Sequence, residues 1–241
     1  MKVALIGYGR MGRIIESILI EKGHEVSFVI SGGNREDIHL INPENTDVCI
    51  EFTKPDVAPD NLNTLIGNGL NVVCGTTGWY DRFEQVRELV ILHNTALVAA
   101  SNFSIGVNLF FEVARQLSVL MKDQDYDVRI TETHHTQKKD APSGTAITLS
   151  EEVRAVYKNF TGYQLNNDED PELLPVYAYR VEDVPGTHEL IFSNDIDEIT
   201  LRHVAFNRRG FALGAVIAAE FIHGKKGVFS IREILRQLAS G

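Results

Sequence analysis

Between Glu132 and Ala146 the chain reads ETHHTQKKDAPSGTA, two adjacent histidines, two lysines, an aspartate and a Ser-Gly-Thr turn in one short run. The chain as a whole carries a formal net charge of −10, so a cationic cluster there stands against the prevailing balance. Lys138, Lys139 and His135 suit a small anionic ligand, because local positive charge concentrates an anion that the rest of the surface repels. Pro142-Ser143-Gly144-Thr145 reads as a helix start, where free backbone N–H groups, the hydroxyls and the helix dipole together attract a carboxylate. An imidazole at His134 or an ammonium at Lys138 can then donate a proton to a bound substrate. The run fits a receptor for a small acid with more than one carboxylate; as a pattern alone it also fits a capped helix. Adjacent histidines on a strand point to opposite faces, and no third ligand follows at zinc-like spacing, so no metal is expected.

A second chemical signature lies at the other end of the chain. Gly7-Tyr8-Gly9-Arg10-Met11-Gly12 places G-x-G-x-x-G after a short apolar strand, KVALI, and at the opening of an amphipathic helix. In that setting Gly7 permits a tight turn, Gly9 lets a pyrophosphate approach the backbone, and Gly12 allows helix and strand to pack closely. The alternative is a glycine turn with a structural purpose only. At the end of the second strand, FVISGGNRED puts Ser31 where a carboxylate would select an unphosphorylated ribose. Without that carboxylate a 2′-phosphate is not repelled, and Arg35 beside Ser31 can bind one, which leans towards NADPH or use of both nicotinamide cofactors. Arg35 equally fits a solvated loop charge.

These residues need a scaffold, and the chain supplies an alternating one. EVSFVI, DVCIEFT, NVVCGTT and ALVAASN are apolar runs ending in small or hydroxylated loops, separated by the helical segments PDVAPDNLNTLIGNG and DRFEQVRELVILHN. Strand and helix in this rhythm predict an α/β fold with a doubly wound parallel sheet, whose ligands sit at the carboxyl ends of the strands. From about Ser104 the rhythm changes. A long helix, the strand DVRITETHH, a helix from Gly144 to Tyr157, a long acidic loop over 160–186, and the hairpin HELIFSN/EITLRHVAF predict a second α+β domain on an open antiparallel or mixed sheet. Two helices, FALGAVIAAEFIHG and SIREILRQLA, finish the chain.

The bulk numbers narrow the partners. A composition of 44% apolar and 23% charged residues is that of a globular chain and argues against disorder. The acidic balance disfavours nucleic acid and anionic membrane surfaces. No run approaches the roughly 20 apolar residues of a membrane span, and the chain opens directly on a strand. Cys49 and Cys74 each lie in an apolar strand, which predicts buried thiols in a reducing compartment and a cytoplasmic protein.

The Glu132–Ala146 run closely resembles the signature of the dihydrodipicolinate reductase (4-hydroxy-tetrahydrodipicolinate reductase) family. GYGRMGR, EFT, CGTTGW, ASNFSIGVN, GTHEL and RHVAFNRRGFALGA match that family in the same order, over nearly the whole chain. The resemblance implies an NAD(P)H-dependent reduction in diaminopimelate and lysine biosynthesis, a Rossmann-like nucleotide domain and a homotetramer. It implies that His134 is the catalytic acid, that Lys138 is the second catalytic group, and that His135 contacts the substrate. Ser143, Gly144 and Thr145 then form the carboxylate-binding turn, with Arg208 a basic residue near the substrate. On the nucleotide side Gly7, Arg10, Met11 and Gly12 hold the pyrophosphate, and Phe52 and Thr53 lie beside the adenosine and phosphates. Gly75, Thr76 and Thr77 border the nicotinamide, and Ser101, Asn102 and Phe103 orient its amide. The resemblance also implies a nucleotide domain of residues 1–103 completed by 215–241, around a substrate-binding and oligomerisation domain of 104–214. The sequence departs from many members in a glycine loop one residue shorter and in Ser31 at a usually acidic position.

Two other readings remain open on the residues alone. One is another nicotinamide oxidoreductase of similar build, such as a semialdehyde or sugar dehydrogenase. The other is a nucleotide-sensing regulator, which has no need of the proton donors in the His-His-Lys run.

Overall fold

Apolar runs too short for helices and too continuous for half-exposed strands build the first sheet. The computed structural model describes residues 1–240. Chain contacts divide it into two units, one of residues 1–105 with Arg208 onward, the other Gly106–Asn207. The first unit begins β1 (Lys2–Ile6), α1 (Arg10–Glu21), β2 (Glu25–Ile30), β3 (Val48–Glu51), α2 (Ala58–Gly67), β4 (Asn71–Cys74), α3 (Phe83–Leu92) and β5 (Ala96–Ala99). The second unit is carried by α4 (Ile105–Met121), β6 (Asp127–His134), α5 (Gly144–Arg154), β7 (Gly162–Leu165), β8 (Leu173–Arg180), β9 (Gly186–Ser193) and β10 (Glu198–Ala205). The chain then returns to the first unit through α6 (Arg209–Ile222), β11 (Gly227–Phe229) and α7 (Ile231–Ser240).

The first sheet is six-stranded, in the order β11-β5-β4-β3-β1-β2, and every pairing in it is parallel. Alternate residues of each strand enter separate cores on the two faces. Val3, Leu5, Val48 and Ile50 pack with Ile15, Leu19, Ala215 and Ile222, while Ala4, Ile6, Cys49 and Val72 pack with Leu62, Leu65 and Val86. Burial on both faces is why these strands read as unbroken apolar runs. Both cysteines are free and buried, and burial pushes the Cys49 thiol up.

The second sheet has the order β10-β9-β6-β8-β7. Its β10–β9 and β9–β6 pairs are antiparallel and its β6–β8 and β8–β7 pairs parallel, an open mixed sheet as expected. One face is covered by α4 and α5, which bury Phe110, Ala114, Leu149 and Val153 against Val128, Ile130, Val176 and Leu190.

The expected loop over 160–186 is overturned, since it contains β7 and β8. Pro175 hid the longer strand, because a proline cannot donate to a ladder and demotes a run that reads as strand. Here it is tolerated because pairing to β6 begins only at Val176; Pro175 is paired on the β7 side alone, opposite Gln164. β11, three residues long, also went unread, and it extends the parallel sheet beside β5. The return to the first unit begins at Arg208 rather than 215, because α6 is one continuous helix packed on α1 and β3. Residue 241 of the expected returning segment lies outside the described residues. Among the described residues, no helix is long and apolar enough to cross a membrane.

Candidate functional site

In the first unit the glycine loop joins β1 to α1 at the carboxyl end of the parallel sheet. A Cβ on Gly7 would lie 2.0 Å from the Phe52 carbonyl oxygen, and one on Gly12 would lie 2.3 Å from the Gly7 carbonyl oxygen. Both positions therefore exclude any side chain. A Cβ on Gly9 would instead meet nothing within 4 Å, so the space over the loop is open. Gly9 is also the N-cap of α1, without a side-chain cap, which leaves the first-turn N–H groups for an anion. Gly9, Arg10, Met11, Phe52, Thr53 and Thr77 line a cavity of about 340 Å³. A second cavity of about 330 Å³ shares Met11, Phe52, Gly75 and Thr77 with it and adds Ser101, Asn102, Phe103 and Arg208. Open space above an uncapped helix start, continued by an aromatic-walled cavity, fits a dinucleotide.

The floor of that site ties two residues expected there, Thr53 and Thr76, to Glu51, Asn61 and Trp79, for which the sequence suggested no role. Thr53 N–H donates to Thr76 Oγ1 at 2.7 Å, and Trp79 Nε1 donates to the Thr76 carbonyl at 2.8 Å. The Thr53 hydroxyl donates to Glu51, a fully buried carboxylate that also accepts from Asn61 Nδ2 at 3.3 Å and from the Cys74 thiol. Beside the site, a Cβ on Gly75 would overlap the Phe52 ring at 2.1 Å, which explains why these two residues occur together. At the end of β2, Ser31 N and Oγ both donate to Asn34 Oδ1, at 2.8 and 3.0 Å, so Ser31 caps its own turn. Arg35 is exposed at the start of the next turn.

In the second unit β6 alternates its burial, and its last two inward residues are Glu132 and His134. His134 is 7% exposed; Glu132 is completely buried. One carboxylate oxygen, Glu132 Oε1, accepts from Ser143 N–H at 3.1 Å and from Arg180 Nη2 at 3.3 Å. The other, Oε2, lies 3.1 Å from His134 Nδ1, off hydrogen-bond alignment, and 3.8 Å from His188 Nε2. Burial alone would raise the Glu132 carboxyl, but contacts with His134 and Ser143 outweigh it and hold the group at about 2. Burial, reinforced by the neighbouring His134, pushes the His188 imidazole down to about 3. Glu132, His134 and His188 bring their donor atoms within 4.8 Å of one another. Arg180 already balances that carboxylate, which gives the group the character of an internal ion-pair network rather than an open coordination site.

His135, just past the strand, is half-buried and its carbonyl accepts from Lys138 N–H, closing the turn that carries the lysines. Lys138 Nζ pairs with Asp140 Oδ2 at 2.7 Å. Ser143 is the N-cap of α5, as read from sequence, but its hydroxyl is committed: it accepts from Ala146 N–H at 3.2 Å and lies 3.1 Å from His188 Nε2. What the turn presents outward is Gly144, which is exposed, with the half-exposed Thr145 beside it. The structure thus gathers His134, His135, Lys138 and the Ser143–Thr145 turn in one unit. Arg208 belongs to the other, where it lines the second of the two cavities with Phe211. Glu132, Arg180 and His188 were missed. For Glu132 the signal was the inward alternation of β6, which marks burial and not chemistry; Arg180 ends β8, a strand the sequence hid, and His188 lies on β9.

A parallel sheet with an open glycine loop, joined to a unit bearing a clustered imidazole, ammonium and helix N-terminus, defines a two-unit nicotinamide-dependent oxidoreductase. Two family models cover the chain, "Dihydrodipicolinate reductase, N-terminus" over residues 1–103 and "Dihydrodipicolinate reductase, C-terminus" over 106–235. The chain belongs to the dihydrodipicolinate reductase family. It is 42% identical over 241 residues to a 4-hydroxy-tetrahydrodipicolinate reductase of Christiangramia forsetii, covering 99% of each chain. It is 33% identical to the enzyme of that name from Methanocaldococcus jannaschii, covering 98% of this chain and 97% of the relative. Among solved structures, dipicolinate-bound dihydrodipicolinate reductase from Paenisporosarcina sp. TG-14 superposes with a TM-score of 0.78 at 22% identity. That likeness, over 95% of this chain and 97% of the other, is one of fold.

Proposed function

We propose that the chain reduces 4-hydroxy-tetrahydrodipicolinate, by way of dihydrodipicolinate, to tetrahydrodipicolinate in diaminopimelate and lysine biosynthesis. The observation that carries this reading is the His134–Lys138–α5 cluster, a donor-rich cationic site in an acidic chain whose full-length relatives bear that activity. The substrate is a ring with two carboxylates. Lys138, His135 and the α5 N-terminus at Gly144 and Thr145 supply the positive charge and N–H groups that bind them. Once bound, a reduced nicotinamide dinucleotide supplies the hydride. His134 or Lys138 then delivers a proton to the neighbouring ring carbon and relieves the charge that hydride addition creates. Asp140 holds the Lys138 ammonium in place, and in doing so its own carboxyl is lowered by the hydrogen bond it accepts.

Ser31 in place of a carboxylate and exposed Arg35 favour NADPH over NADH without excluding either. A homotetramer built through the second sheet would cover its exposed edge strand β10 and apolar residues such as Tyr179 and Ile199. Two buried thiols suit a reducing cytoplasm, and the acidic charge suits neither nucleic acid nor an anionic membrane.

The test is oxidation of NADPH and of NADH, followed by absorbance, with substrate made in situ from pyruvate and aspartate semialdehyde. Wild type should turn over, and Lys138→Ala should lose about 10²–10⁴-fold in kcat/KM. Nucleotide binding without turnover of either cofactor would overturn the reductase reading in favour of a sensor. Light scattering at a monomer mass would overturn the tetramer.

A further inference from the structure

We propose that the buried Glu132–Arg180 ion pair is the positioning device that sets the His134 imidazole and the Lys138 loop together. The inference rests on the reductase reading and adds two residues to it, both as positioning residues.

A fully buried carboxylate is costly unless every lone pair is used, so the way Glu132 is used is informative. Its two oxygens serve different elements. Oε1 meets the Ser143 N–H at the start of α5 and both terminal nitrogens of Arg180, at 3.3 and 3.4 Å. Oε2 faces His134 Nδ1 on its own strand. With that nitrogen turned to the carboxylate, the other ring nitrogen, Nε2, is the one left to give a proton.

Arg180 completes the device from the adjacent strand, where it stands in register with His134. Besides Glu132, its guanidinium donates from Nη2 to the Asp140 carbonyl at 2.6 Å and from Nε to the Lys138 carbonyl at 3.2 Å. These two carbonyls flank Lys139, so the fork grips the loop on both sides of its turn while Asp140 holds the Lys138 ammonium. A planar, five-donor fork can do this and a single ammonium cannot. One member of the pair thus orients the imidazole and the other fixes the loop, and their mutual attraction sets the spacing between the two.

The charged and titratable groups facing Glu132 are His134 on β6, Arg180 on β8, His188 on β9 and Asp140 on the loop, while His203 on β10 and Lys138 act on His188. Removing the Glu132 charge therefore takes away the contact anion of His134 while Arg180 keeps its positive charge. The alkaline limb of the kcat–pH profile, which reports the acid that delivers the proton, then moves to lower pH.

The experiment compares wild type with Glu132→Gln, Arg180→Lys, Arg180→Met and the Glu132→Gln/Arg180→Met pair. Glu132→Gln should lower kcat by about 10²-fold and shift the alkaline limb downward, with NADPH affinity within about twofold of wild type. Arg180→Met should lose as much, Arg180→Lys should recover part of it, and the double variant should be little worse than the worse single one. A Glu132→Gln enzyme with wild-type kcat and limb overturns the proposal, as do single losses that multiply in the double. If Glu132→Gln fails to fold, Arg180→Lys, which keeps the charge, decides: unchanged kcat there overturns the proposal as well. Turnover by wild type in the same assay separates the two failures, since its absence sinks the reductase reading itself.

Discussion

Ser143 Oγ lies 3.1 Å from His188 Nε2 and at the same time accepts the Ala146 N–H, so one hydroxyl links the N-terminus of α5 to strand β9. Losing it removes an N-cap, a change worth about 1 kcal/mol, and leaves His188 without its hydroxyl partner. Ser143→Ala should therefore lower the denaturant midpoint and raise the substrate KM more than it lowers kcat, because the loosened turn still carries Gly144 and Thr145. Urea titration and steady-state kinetics on the one variant check both. A KM like that of wild type would show that the turn does not bind the substrate.

The same histidine gives the protein a pH dependence whose sign follows from its depressed value. Folded His188 takes a proton only at about 3, whereas the unfolded imidazole takes one at its ordinary 6.5. Between those values the unfolded state binds more protons, so stability rises with pH and falls as pH drops below 6.5. Glu132, at about 2 when folded against an ordinary 4.5, adds to the loss as pH falls through the range between those two values. Each proton of difference is worth about 1.4 kcal/mol per pH unit, so wild type should lose about 2 kcal/mol between pH 6.5 and 5, mostly through His188. In His188→Asn that slope should flatten while the steeper loss below pH 4.5 remains. Equilibrium unfolding at three pH values is the measurement, and equal slopes in both proteins would refute it.

Gly9 offers a clean separation of folding from binding. Its Cβ would meet nothing in the protein, so Gly9→Ala should melt within a degree or two of wild type. The added methyl enters the space above the α1 N-terminus, where a pyrophosphate has to approach the backbone, and dinucleotide affinity should fall at least about tenfold. Gly12→Ala is the contrast, because its Cβ would lie 2.3 Å from the Gly7 carbonyl oxygen and should cost stability and binding together. Fluorescence titration with NADPH and thermal melts on the two variants distinguish the cases.

Much of this architecture can be read in the residues, for physical reasons that differ by element. The parallel sheet is legible because β1, β3 and β4 are buried on both faces and so written as VALI, VCI and NVVC, each ending in a glycine or hydroxyl turn. β8 is not legible because Pro175 interrupts it, and the reason it is harmless, a missing neighbour at that rung, exists only in three dimensions. The α5 start is legible since capping is local chemistry. Glu132 and Arg180 are far apart in sequence, and nothing in either neighbourhood says that one buried carboxylate will meet a guanidinium from another strand. The use of Ser143 is the reverse case: its type and place were plain, but the hydroxyl turns inward to His188.

Cofactor choice should rest on the end of β2. Ser31 N–H and Oγ both point at Asn34 Oδ1, which in turn is held by its own amide donating to the Val29 carbonyl at 3.0 Å and to Asp37 at 3.1 Å. The turn is therefore preorganised around a neutral residue, with Arg35 exposed immediately after it. Ser31→Asp puts a carboxylate where a ribose 2′-phosphate would lie, and repulsion there should move the NADPH/NADH ratio of kcat/KM towards NADH by at least about tenfold. Arg35→Ala should lower NADPH affinity and leave NADH affinity alone, because only the phosphate offers the guanidinium a partner. Should both substitutions change the two cofactors equally, the β2 turn would have no part in selection, and the discrimination would have to lie elsewhere along the cavity lined by Arg10 and Thr53.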